Sequence, residues 1–369
     1  MKYRLTENVI EYEGKRLFQI QAVKNFQADQ WYIQAGELGG YVESERNLSQ
    51  QGSCWLMKRS KVMGNASVSG NAYVSGSSVI SGNAQVFDNA LVVGSSKVTD
   101  NAKVYGNAFI MNCEMISGDA QVFEFAVIAK AVCVVGSAKI YGNAEIESFS
   151  KVGGECEIFD NALIKNQANV SGKARIFGKA TIQDDVHIWD NAIICDATIR
   201  EKAKISGNAR IIGNVIDICG NVALSDDAFI QSQSDFIHIE NFGLFETGLT
   251  IFNTEQGFKF RYAGKAFNAE QFIANSHKAI EEYQFFIEVI KQSRQKEKII
   301  SVTNIGMHTL LQYPKSCVTH FYKTDQKIEI KFELKSYKME YEAEHFINEM
   351  KLNIETLEKL LSLIKNREM

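Results

Sequence analysis

Residues 64–90 read "GNASVSGNAYVSGSSVISGNAQVFDNA", and this stretch decides the architecture. Val68, Val74, Ile80 and Val86 recur every six residues, and four places after each comes a small residue: Ala72, Ser78, Ala84, Ala90. Gly-Asn, Gly-Ser or Asp-Asn pairs fill the gaps. A β-branched anchor suits the inward side of a short strand, a small residue fits a tight corner, and Gly, Asn or Asp accepts the dihedrals of a turn. One strand and one corner every six residues is the hexapeptide β-helix pattern.

The frame extends far beyond the quoted stretch. From Leu56 to Ile194, 24 consecutive positions at a step of six hold Leu, Val or Ile. The register then slips by one at Ile199, Ile205 and Ile211, and returns at Ile212, Ile218, Leu224, Ile230 and Phe236. A plain antiparallel meander would need longer loops and would not hold this register.

These residues resemble the left-handed β-helix superfamily, in which three hexapeptides make one triangular coil. The resemblance implies the winding sense; the period does not. About ten coils are expected over residues 56–236, or about 48 Å of prism at the ordinary strand spacing of about 4.8 Å. The stretch "AGELGGYVESERNLSQQGSCW" (35–55) leading into the repeats resembles bacterial and phage proteins of the YdcK type, which carry an acyltransferase label. That resemblance implies a phage or bacterial-conflict setting and contributes no motif of known chemistry.

The expected fold is therefore mainly β. A β cap occupies residues 1–55, the β-helix residues 56–236, and two similar βββα-like α+β modules residues 237–297 and 298–369. The duplication is read from three pairs: "IHIENFG" (237–243) with "ISVTNIG" (300–306), "TIFNTEQGFKF" (250–260) with "THFYKTDQKIEIKF" (319–332), and "AEQFI" (269–273) with "AEHFI" (343–347). Each copy is expected to end in a helix, the first capped by Asn268 with Gln271 three places on.

Composition narrows the function classes. A net charge of -4 over 369 residues provides no general field for nucleic acid or anionic lipid, so neither is expected as a partner. Seven widely spaced cysteines without a CxxC pair suit reduced thiols, and no apolar run is long enough to span a membrane. A cytoplasmic protein is expected.

Surface columns follow from stepping one whole coil at a time. The residue after every third anchor is Phe87, Tyr105, Phe123, Tyr141, Phe159 and Phe177, all aromatic. Across the next corner come Leu91, Phe109, Val127, then Glu145 as an interruption, then Leu163. On the other side Gln85, Lys103, Gln121, Lys139, Glu157 and Arg175 form a solvated column. Aromatic side chains carry about 150–250 Å² each, so this ridge exceeds the few hundred Å² a monomer usually exposes. Three covers are available: the chain's own tail, a second copy in a homo-oligomer, or another macromolecule.

Signals for chemistry are sparse. His187 is the one histidine within residues 56–236, which leaves three-histidine zinc binding out of reach there. In "DDVHIWDN" it lies among Asp184, Asp185 and Asp190, and is the weak candidate for a general base; a solvated surface histidine is the favoured reading. Glu114 occupies a corner slot that is nearly always small, which suggests a bulge with the carboxylate in water. No phosphate loop, HExxH or GxSxG motif occurs. The leading expectation is a non-enzymatic scaffold with no cofactor and no metal. The alternative implied by the superfamily is a coenzyme A-dependent acyltransferase with its site at a subunit interface.

Overall fold

The computed structural model describes residues 1–242, 247–257, 259–262, 265–268, 271, 272, 274, 276, four strands between 298 and 342, and position 351. Two compact units are present: Met1–Gly220 with Ser225–Asp227 and Gln231–Gln233, and Asn221–Leu224 with Ala228–Ile230 and Ser234–Met369.

The first unit is a parallel β-solenoid, and the chain forms about eleven coils. Strands of two or three residues stack coil upon coil, as in Val86↔Val104↔Val122↔Ile140↔Ile158↔Ile176. The anchors and the corner alanines are almost all fully buried, so the apolar term that drives this fold is a column of branched side chains filling the prism axis.

The count of ten coils stops at Leu56 because stepping back by six meets Gln50 and Ser44. The solenoid begins earlier. The strand Leu38–Val42 pairs antiparallel with Lys15–Ala22 on one side and parallel with Lys61–Val62 on the other, and Leu48 bridges Val68. Val42 and Leu48, both 0% exposed, are thus anchors of the first coil. The longer side between Leu48 and Leu56 hides them from a fixed step.

The register slip is one short coil followed by one long one. Thr181 pairs with Thr198, and Thr198 with Asp217, so what the first of these coils lacks the second restores. Ile211 is the buried anchor, whereas Ile212 points outward and is half-buried. The return to frame therefore falls after Gly213, not at Ile212.

The corners divide their labour more sharply than composition implies. Positive φ is carried by the first residue of each pair, such as Gly70, Asp88 and Gly106 at +66°, +58° and +68°. A Cβ on Gly70 would lie 2.8 Å from the Asp88 backbone nitrogen, so a side chain there collides with the next coil. The acids between the glycines reach forward instead: Asp88 Oδ2 accepts from the Gly106 N–H at 3.2 Å, and Glu124 Oε2 from that of Gly142 at 3.0 Å. The asparagines that follow build ladders. Asn71 donates to Asn89 and Asn89 to Asn107 at 3.0 and 3.1 Å, with a second ladder through Asn65, Asn83, Asn101 and Asp119.

In the second unit the tail duplication takes the form of two four-stranded antiparallel meanders. They run Phe236–Phe242, Thr247–Phe252, Lys259–Tyr262, Lys265–Asn268, and Lys298–Thr303, Val318–Lys323, Ile328–Leu334, Tyr337–Glu342. Each has one strand more than the sequence pattern suggests, because the last hairpin is short. After the first, the Gln271 N–H donates to Asn268 Oδ1 at 2.8 Å and the Asn268 N–H to Gln271 Oε1 at 3.2 Å, the expected reciprocal cap. Phe272 packs on Phe260, Tyr262 and Phe267. The remainder of that helix and almost all of the second one lie outside the described residues.

Candidate interaction surface

The aromatic column is a continuous stack. Phe87, Tyr105, Phe123, Tyr141, Phe159 and Phe177 have successive ring centroids 4.8–5.0 Å apart and interplanar angles of 3–8°. The spacing equals the strand repeat, so the backbone ladder itself sets the rings face to face. Five such intervals make a ridge about 25 Å long. Each ring is half-buried: faces are covered by neighbours and edges stay outward.

Beyond the corner, Leu91, Phe109, Val127, Glu145 and Leu163 pair in the expected order, all half-buried except the exposed Glu145. The solvated column on the near side leans over the rings. Tyr105 Oη donates to Gln121 Oε1 at 3.3 Å, the Arg175 guanidinium lies 5.6 and 5.8 Å from the Phe159 and Phe177 centroids, and Glu157 pairs with both Lys139 and Arg175 at 3.7 and 3.4 Å. Burial, then the nearby carboxylates, pushes the Tyr105 and Tyr141 phenols above their ordinary value, so both are neutral donors at neutral pH.

One apolar residue on this surface escapes the column reading. Phe125 occupies the turn slot that holds Asn107 one coil before and Asn143 one coil after. It is 60% exposed, at the corner between the ladder and the Leu91–Leu163 column. Treating turn slots as backbone devices alone overlooks it, although the run "FEFAV" carries the signal.

The candidate base and the unusual corner are elsewhere. His187 pairs with Asn169 and Lys204 on a different sheet from the ladder, with Nε2 3.3 Å from Asp185 Oδ1. Both side chains are exposed to water, at 43% and 63%. At the odd corner Cys113 takes the buried slot and Glu114 faces solvent, the expected bulge. Burial raises the Cys113 thiol to about 12, leaving it unreactive. Among the described residues, no group of three or more His, Cys, Asp or Glu is arranged to hold a metal ion, and no helix is long and apolar enough to cross a membrane.

No protein-family profile matches this chain, and no curated protein matches it.

Proposed function

We propose that the chain is a non-enzymatic β-helix scaffold of the hexapeptide-repeat kind, wound left-handed, that self-associates or grips a protein partner through the aromatic ridge. The observation that carries this reading is Phe125, 60% exposed beside a stack of half-buried rings. A turn slot that its neighbouring coils fill with asparagine gains nothing for the fold from phenylalanine, and an exposed ring costs solubility. Its position suits an anchor at the centre of an interface, with the Lys139–Glu157–Arg175 ion pairs as a polar rim. A ridge about 25 Å long, with the column across the corner, supplies an apolar centre of roughly 500 Å² per copy; stable interfaces bury about 800 Å² per side, the rest coming from that rim.

The test is sedimentation velocity on the full chain over a wide concentration range, beside Phe125→Asn, which restores the residue of the adjacent coils. Assembly in the parent chain that is lost in Phe125→Asn, with unchanged circular dichroism, supports self-association. A monomer at every concentration overturns self-association, and assembly that persists in Phe125→Asn removes the ridge from it.

A further inference from the structure

A second feature lies at the start of the solenoid, where the column across the corner from the ring stack begins with Trp55, Tyr73, Leu91 and Phe109. The strands Phe26–Ala28 and Trp31–Ile33 form a short antiparallel arm, closed by a turn in which Asp29 takes φ +49°. Phe26 meets Trp55 edge-on, with centroids 5.4 Å apart and planes at 76°. The arm is thereby pinned to the outward face of the first coil, where Trp55 pairs with Tyr73. Between arm and solenoid lies an open cavity of about 690 Å³, within the range of sites for small organic ligands.

Its lining has a specific chemistry. Trp31, Tyr73 and Phe109 present three aromatic rings to it, and Asp29 and Glu37 two carboxylates. Trp31 is 50% exposed, and Tyr32 beside it 58%. Tyr73 is only 4% exposed, with its ring on the cavity wall. Burial, reinforced by Asp29 and Glu37, raises this phenol to about 12, so it keeps its proton. Asp29 and Glu37 are thus the charged groups that act on Tyr73. Lys58 and Arg59, on the Met57–Ser60 turn, also line the cavity and suit a neutral or anionic group on the same ligand.

We propose that this cavity binds an organic cation, an alkylammonium or guanidinium group, among the faces of Trp31, Tyr73 and Phe109 with Asp29 and Glu37 supplying the counter-charge. Aromatic faces attract a desolvated cation through their quadrupoles, and adjacent carboxylates add charge without demanding directional hydrogen bonds. The same group can arrive as a free amine or as a lysine or arginine side chain of another protein.

The experiment titrates the full chain with choline, with its uncharged isostere 3,3-dimethyl-1-butanol, and with a lysine-containing tripeptide, followed by tryptophan fluorescence and calorimetry. Saturable binding of choline or the peptide is expected. It should be at least about tenfold weaker for the uncharged isostere and for Trp31→Ala and Glu37→Gln, and unchanged in Phe125→Asn. Tighter binding of the peptide assigns the source to a protein partner, and tighter binding of choline to a free amine. Equal binding of the isostere, parental affinity in both cavity variants, or no saturation by either cation overturns the proposal.

Discussion

The ring stack predicts a pattern of energetic coupling that no alternative register produces. Phe123 touches two rings, Tyr105 and Tyr141, each at 4.9 Å, whereas Phe87 touches one, Tyr105 at 4.8 Å. A stacked aromatic pair contributes about 0.5–1.5 kcal/mol beyond the area it buries. Phe123→Ala therefore loses about 1–3 kcal/mol of pair energy, and Phe87→Ala about half of that. Area terms differ between sites, so a double-mutant cycle is the cleaner reading. The cycle Phe123→Ala with Tyr141→Ala should return a coupling of about 0.5–1.5 kcal/mol. The cycle Phe87→Ala with Tyr141→Ala joins rings three coils apart and should return zero within about 0.5 kcal/mol. Urea unfolding followed by far-ultraviolet circular dichroism gives each corner of both cycles. Equal couplings in the two cycles would refute the stacked geometry.

Glycine substitutions should separate strain from collision. Gly172→Ala meets both, with φ +72° and a Cβ 2.6 Å from the Asp190 nitrogen, whereas Gly14→Ala meets only φ +73° in open space; thermal unfolding should show a loss of about 1 kcal/mol for Gly14→Ala and clearly more for Gly172→Ala. Glu43 is held below the usual carboxylate range by Lys15 and by the Gly64 N–H. A depressed carboxylate stabilises the fold above its unfolded value, and that stability is lost as pH falls through the folded one. Glu43→Gln should therefore flatten the loss of stability below about pH 4.5, and an unchanged acid limb in a pH series of melts would count against this pairing. Cys113 and Cys156, both 0% exposed and raised to about 12 by burial, should resist alkylation at pH 8 in the native chain and react after unfolding; peptide mass mapping after rapid labelling decides it.

Much of the solenoid is legible in the sequence because its physics is local and periodic. A buried anchor at every sixth position leaves a direct mark, and outward columns follow once three anchors are taken to close a coil, so Phe87 through Phe177 can be stacked before any coordinates. What escapes does so for identifiable reasons. Ile211 and Ile212 are chemically alike, and only the short and long coils around them show which one points inward. Val42 and Leu48 lie across a lengthened side that breaks the step. The second residues of the Gly-Asn and Asp-Asn pairs look like dihedral devices, whereas the first residue carries the positive φ and the asparagine amides hydrogen-bond from coil to coil. Phe125 lies in a slot that reads as a turn. The cavity under the Phe26–Ile33 arm joins the arm and Glu37 to the Tyr73, Leu91 and Phe109 column; the step of one coil stacks these three, but no spacing rule brings Asp29, Trp31 and Glu37 to them.

The ridge is tested most directly by hydroxyl-radical footprinting of the full chain under dilute and assembled conditions. Phe125, Tyr105 and Tyr141 should become protected on assembly while Trp31 and Tyr32, exposed on the N-terminal arm, are labelled equally in both. Unchanged labelling of Phe125 in an assembled sample would contradict it.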